Sequence, residues 1–134
     1  MEFYAENWIA IIAAAAAGFV VGGIWYGPVM GKKWMGAVGL TEEDIQSGNM
    51  GMIYGTTFVL SLVASTTLAH VLTYFPAADL GTILMVSVGI ALGFLVPAIG
   101  TNYLFSQKSR TLFLIDATYW LLFYAAMGVV HALL

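Results

Sequence analysis

Apolar residues fill this chain in four long blocks, and polar residues are confined to the stretches between them. The blocks run over roughly 8–26, 52–75, 80–104 and 112–134. About 20 apolar residues wound as a helix cross the ~30 Å hydrocarbon layer of a bilayer, and each block approaches or exceeds that length. No block alternates polar and apolar positions with the period of a strand. The pattern predicts an all-α fold, an integral membrane four-helix bundle forming a single transmembrane domain over residues 1–134.

The breaks between blocks differ in kind. "FPAAD" separates the second and third spans, and Pro76 with Asp79 predicts a short turn between neighbouring helices. "SQKSR" separates the third and fourth. The segment 27–50 is longer and more polar, and it is expected to lie at the cytoplasmic interface. Its first half, "GKKWMGAVG", predicts a short interfacial helix. Its second half, "LTEEDIQSG", predicts another, with Thr41 as N-cap and Glu42, Glu43 and Asp44 in the first turn, where acids complement the helix dipole.

Composition narrows the class further. Hydrophobic residues make up 61% of the chain and charged residues 8%, against about 25% charged in soluble domains. So few charges cannot cover a water-facing surface. The net charge of −3 offers no basic footprint for nucleic acid. The chain has no cysteine, which excludes disulfides, thiolate chemistry and cysteine-ligated metals. A cleavable signal peptide is not expected, because "MEFYAENW" carries Glu2 and Glu6 where a basic n-region belongs.

The basic residues orient the spans. Lys32 and Lys33 follow the first span, Lys108 and Arg110 the third. With four spans these connections share a side, and the positive-inside rule makes it the cytoplasm. Both termini and the turn at 76–79 then face outward. Tyr4, Trp8, Tyr74 and Phe75 fit the outer interface; Trp25, Tyr26 and Trp34 fit the inner one. Lys32, Trp34, Lys108 and Arg110 are read as interfacial anchors.

Two further patterns concern packing. "GFVVGGI" at 18–24 and "GFLVPAI" at 93–99 share Gly-Phe-x-Val-x-x-Ile, and the spans that follow carry His70 and His131 near their outer ends. This is either a parallel repeat of two helical hairpins or chance similarity in a restricted alphabet. Small residues also recur at helical spacing: Ala10, Ala14, Gly18 and Gly22; Gly51, Gly55, Ser61, Ser65 and Ala69; Gly89 and Gly93 leading to Pro97. Lipid gives helices no hydrophobic drive to pair, so close approach relies on such rows. The rows are expected to face one another inside the bundle, and a homo-oligomer of unspecified size is expected.

Asp116, in "LFLIDATYW", is the most informative polar residue. It lies about one turn inside the fourth span, where a carboxylate is costly and must be protonated, hydrogen-bonded or near a cation. Depth counting sets it level with Asn102 and Tyr103, with Trp25 and Tyr26, and with Tyr54, Thr56 and Thr57, which together predict an inner polar cluster. Asp116 either anchors its helix, by bonding Asn102, Tyr103 or the turn of Lys108 and Arg110, or handles a ligand or proton. His70 shares a helix face with Thr56, Thr66, Thr67 and Thr73. With His131, and with Asp79 or Glu6, it offers a metal site or proton relay, or else a pair of satisfied interfacial histidines.

No sequence motif names a reaction. "GPVMGKK" lacks a spacer and the Ser/Thr of a phosphate loop. There is no G-x-S-x-G, no H-E-x-x-H and no dinucleotide fingerprint. Met30, Met35, Met50 and Met52 suit interfacial packing better than metal binding. No cofactor or metal is expected.

Five blocks in order, "WYGPVMGKKWM", "GLTEEDI", "LAHVL", "NYLF" and "LFLIDATYWLL", resemble the small bacterial membrane proteins grouped as domain of unknown function 1761. The resemblance covers nearly the whole chain. It implies a four-span protein of the bacterial inner membrane without an established activity. It sets the family's recurring positions on Trp25, Tyr26, Gly27, Pro28, Lys32, Trp34, His70, Asn102, Tyr103, Asp116, Tyr119 and Trp120. The favoured functional reading is transport or conduction of a small solute, ion or proton, with a polar centre at Asp116. The alternative is a non-catalytic membrane partner or lipid-interacting subunit. An enzyme is the weakest reading, resting on Asp116 with Tyr103 or Tyr119.

Overall fold

A computed structural model describes residues 7–134; Glu2, Tyr4 and Glu6 lie outside the described residues. Those described contain helices and no strand. Helix α1 spans Trp8–Ile24 and runs on through a π-helical turn, Trp25–Val29. The polar connection folds into α2 (Gly31–Val38) and α3 (Glu42–Gln46). Helix α4 spans Met50–Leu72. The third span is divided: α5 (Leu80–Ile90), a second π-helical turn (Ala91–Leu95), then α6 (Val96–Phe105). Helix α7 is continuous over Arg110–Leu133. Four helical stretches, Trp8–Val29, Met50–Leu72, Leu80–Phe105 and Arg110–Leu133, are long and apolar enough to cross a membrane.

Polar caps set the helix starts. Asn7, Asn49, Asp79 and Ser109 each accept a backbone N–H from the first turn that follows. Thr41 and Asp44 form a reciprocal capping box on α3. The backbone N–H of Thr82 holds the exposed Asp79 carboxyl below the ordinary carboxylate range. A depressed folded-state pKa contributes stability above the unfolded value and loses it as pH falls. Asp79→Ala should therefore lower the melting temperature at pH 7, and the difference from the unmodified chain should close as pH falls through that range in a pH series of melts.

Both π-helical turns accompany a proline. Pro28 lies inside the first; Pro97 follows the second and sits at the start of α6. A proline ring lacks the N–H of a regular helix and collides with the carbonyl four residues back. The wider turn accommodates it, with bonds such as Met30 N–H to Trp25 O at 2.7 Å. Gly27-Pro28 thus widens the first span before it ends.

The surface is apolar and the interior carries hydroxyls. Ile9, Met85, Phe94, Leu104 and Phe105 each expose two-thirds or more of their surface, whereas Ser61, Ser65 and Ser87 are buried. Such a surface would drive aggregation in water and is matched by lipid.

Helix α7 is the centre of the packing: it lies against α1 on one side and α5 on the other, while α4 packs on α1. Glycines make the close approaches. A Cβ on Gly18 would collide with the Phe123 ring, one on Gly22 would lie 3.1 Å from the Tyr119 hydroxyl, and one on Gly128 would lie 2.6 Å from the Ser87 hydroxyl. The row Ala10–Ala14–Gly18–Gly22 is thus the α1–α7 seam. Gly55, Gly89 and Gly93 meet nothing within 4 Å, which corrects the expectation that all three rows face inward. Helices α4 and α5 scarcely touch despite the short turn joining them. Helix α4 packs on α1 much as α7 packs on α5, as two like hairpins would, whereas the α1–α7 contact has no counterpart between α5 and α4, so the hairpins meet along one side only.

Candidate functional site

Asp116 stands six residues into α7, about 9 Å along the helix at 1.5 Å per residue. Each of its oxygens is engaged from a different helical segment. The Tyr26 hydroxyl, on the π-helical turn closing α1, donates to Oδ1 at 2.5 Å. The Tyr103 hydroxyl, on α6, donates to Oδ2. Both carboxylate oxygens thus have a hydroxyl donor. These two bonds join the first, third and fourth spans at one point.

Aromatic rings surround the centre. Tyr26 meets Trp34 of α2 edge-on at 5.6 Å and Tyr119 at 5.0 Å. Trp120 lies 4.8 Å from Tyr119. Trp34 thereby brings the interfacial helix against the residue that holds Asp116. Beside them the Trp25 indole N–H donates to the Ile115 carbonyl at 3.0 Å, a second tie between the same turn and α7.

Of the residues expected at this level, Trp25, Tyr26, Tyr103, Tyr119 and Trp120 gather around or beside Asp116. Others stand apart. Asn102 is exposed, because it adjoins Tyr103 on α6 and so points about 100° away from it. Tyr54 is exposed and packs edge-on to Phe19 at 5.9 Å. Thr56 and Thr57 face outward on the lightly packed start of α4. Lys32, Lys108 and Arg110 are exposed at the same end of the bundle.

The two histidines have different partners among the contacts described. His131 Nε2 lies 3.0 Å from Ser65 Oγ, and Ser65 donates its own proton to the Ile11 carbonyl at 2.8 Å. The ring nitrogen must then be the donor to Ser65, since a hydroxyl has one hydrogen. Ser65 and His131 have the composition of a nucleophile and base, but the proton runs the wrong way for that chemistry. The three groups instead tie α1, α4 and α7 together at the end opposite Asp116. Ser65→Ala should cost about 1–2 kcal/mol, read by thermal unfolding in detergent; an unchanged transition would show that the tie carries no stability. His70 has its ring edge-on to Tyr74 at 5.6 Å. The neighbouring hydroxyls of Thr66, Thr67 and Thr73 bond carbonyls of their own helix, so the threonine stripe is folded back on its backbone. Among the described residues no three of His, Asp and Glu are placed to hold a metal ion.

The Ser65 tie and the Trp25–Ile115 bond were not anticipated. Ser65 reads in sequence only as one of a row of small residues, and a backbone carbonyl leaves no trace there. A serine in such a row at the depth of a histidine is the signal available.

Four membrane-length helices joined by polar connections, with a carboxylate bridging tyrosines of two other spans, define an all-helical protein of the multi-pass membrane class. The chain belongs to the family described as protein of unknown function (DUF1761), whose model matches residues 9–132. No curated protein and no solved structure matches it.

Proposed function

We propose that the protein transports or conducts a small solute, an ion or a proton across the bacterial plasma membrane, with Asp116 as its ionisable centre. The observation that carries this reading is the Tyr26–Asp116–Tyr103 bridge. A proton or cation arriving at the carboxylate competes with the two hydroxyl donors, so its binding is linked to the contacts among three spans. Such a link couples occupancy to conformation, since a ligand shifts an equilibrium by its differential affinity for the two states. The same proposal sets this end at the cytoplasm, which the positive-inside rule favours for the side that carries the basic connections. Several copies assembled together belong to the same proposal, and native mass spectrometry counts them.

Flux in proteoliposomes tests the reading, with protons, alkali cations and small metabolites offered in turn. Flux by the unmodified chain that Asp116→Asn abolishes supports it. No flux of any species by the unmodified chain defeats it.

A second reading, a non-catalytic partner or lipid-interacting subunit, draws on an apolar cleft of about 310 Å³ between α1 and α7, lined by Val21, Ile24, Trp25, Leu122 and Ala126. Purification in mild detergent should then recover a stoichiometric protein partner or lipid; a bare, monodisperse chain counts against it. Catalysis is less well supported. Asp116 touches Tyr103 directly, but both carboxylate oxygens are already occupied by tyrosine hydroxyls.

A further inference from the structure

The third span is divided in a way that the other spans are not, and the division bears on the Asp116 site. Helix α6 is bounded by irregular backbone at both ends. Before it stands the π-helical turn Ala91–Leu95. After it, Gln107 takes a left-handed φ of 57°, within a turn closed by Lys108 N–H to the Tyr103 carbonyl at 2.9 Å. Between these pivots α6 contains no buried residue, and Leu104 and Phe105 are 80% and 86% exposed. Its hold on α7 runs along a half-buried face of Val96, Ile99, Gly100 and Tyr103, and includes the Tyr103 hydroxyl on Asp116 and the Phe113 ring, which packs on Gly100 and stands edge-on to Tyr103 at 6.5 Å. Helix α5, by contrast, is keyed to α7 by buried Ser87 against Gly128.

We propose that α6 is a gate over Asp116, a ten-residue helix that turns about its own axis between two pivots and is latched shut by Tyr103. Releasing the latch rotates the tyrosine off the carboxylate and opens Oδ2 to the adjoining interface. Helix α5 stays fixed. The rotation needs little displacement of either end, which the short connection to α7 requires. π-helical turns interrupt the regular helix and recur at functional positions. The gate deepens the reading of Asp116 as the working centre, since it controls access to that carboxylate, but its motion is measured without any flux.

The chain lacks cysteine, so spin labels can be placed freely. Leu104→Cys on α6 and Leu114→Cys on α7, both exposed, report the gate by double electron–electron resonance in lipid nanodiscs. Met85→Cys and Leu122→Cys, on α5 and α7 and also exposed, serve as the fixed reference. A helix is about 10–12 Å across with its side chains, so a turn of roughly 60° moves a surface label by about 5 Å. Tyr103→Phe should shift or broaden the first distance by that amount and leave the reference unchanged. Tyr26→Phe, which removes the other donor to Asp116 from a different span, should shift neither. Identical distributions in the unmodified chain and Tyr103→Phe would overturn the gate, as would an equal shift in the reference pair or in Tyr26→Phe. A shift at the gate in a chain that carries no flux would retain the gate and reject transport.

Discussion

Asp116→Ala should lower the stability of the detergent-solubilised chain by about 3 kcal/mol, the largest loss expected from a single polar side chain among residues 7–134. A hydrogen bond contributes about 0.5–1.5 kcal/mol net, and a buried polar group left without a partner costs about 1–3 kcal/mol; two bonds converge here. Alanine removes the acceptor of both, leaving the Tyr26 and Tyr103 hydroxyls to find partners where water is scarce. Asp116→Asn keeps an oxygen acceptor and gains a donor, so its loss should be smaller. Tyr26→Phe and Tyr103→Phe should each cost about 1–2 kcal/mol, with a sum comparable to Asp116→Ala. Unfolding followed by tryptophan fluorescence measures all four. An Asp116→Ala transition coincident with the unmodified one would mean that the bridge does not organise the spans.

Gly18→Ala should cost about 2 kcal/mol, a large effect for one methyl group. The added Cβ falls on the Phe123 ring, which is itself buried among Ala14, Leu68, Tyr119 and Met127. Overpacking a close-packed site costs about 1–3 kcal/mol. The two helices have no hydrophobic drive in lipid to hold them together once the fit is lost. Phe123→Leu introduced with Gly18→Ala should recover much of the loss, because the smaller side chain vacates the colliding volume. Gly89→Ala and Gly93→Ala provide the comparison: their Cβ atoms enter open space. Those exchanges should be neutral or stabilise by up to about 1 kcal/mol from helix propensity. Equal losses at Gly18 and Gly89 would show that the seam does not distinguish them.

Those glycines also show how far the chain could be read in advance. Gly18, Gly89 and Gly93 stand in similar rows, and spacing alone treats them alike. Only Gly18 has a ring from a distant segment laid across it. Spacing reports which residues share a helix face but not which face a neighbour takes. In lipid the face left over is also apolar, so the usual polar marker of an outward surface is missing. The same ambiguity affected Asn102 and Tyr103. Depth counting set both level with Asp116, yet consecutive residues point about 100° apart around a helix, and only Tyr103 reaches the carboxylate. The threonines near His70 were visible as a polar stripe, but their hydroxyls return to local carbonyls, an outcome open to any Ser or Thr in a helix.

The four spans, the two short helices between the first and second, the Thr41 cap and the depth of Asp116 all follow from local order along the chain. Each depends on hydrophobic length, charge or capping chemistry within a few residues, and a bilayer imposes those requirements on every segment separately. The central place of α7, the weak meeting of α4 and α5, and the choice of Tyr26 and Tyr103 as partners for Asp116 arise from packing between segments far apart in sequence. That packing depends on which glycine admits which ring and on how a proline turns the helix beyond it. The positions of the rings are not set until the helices meet.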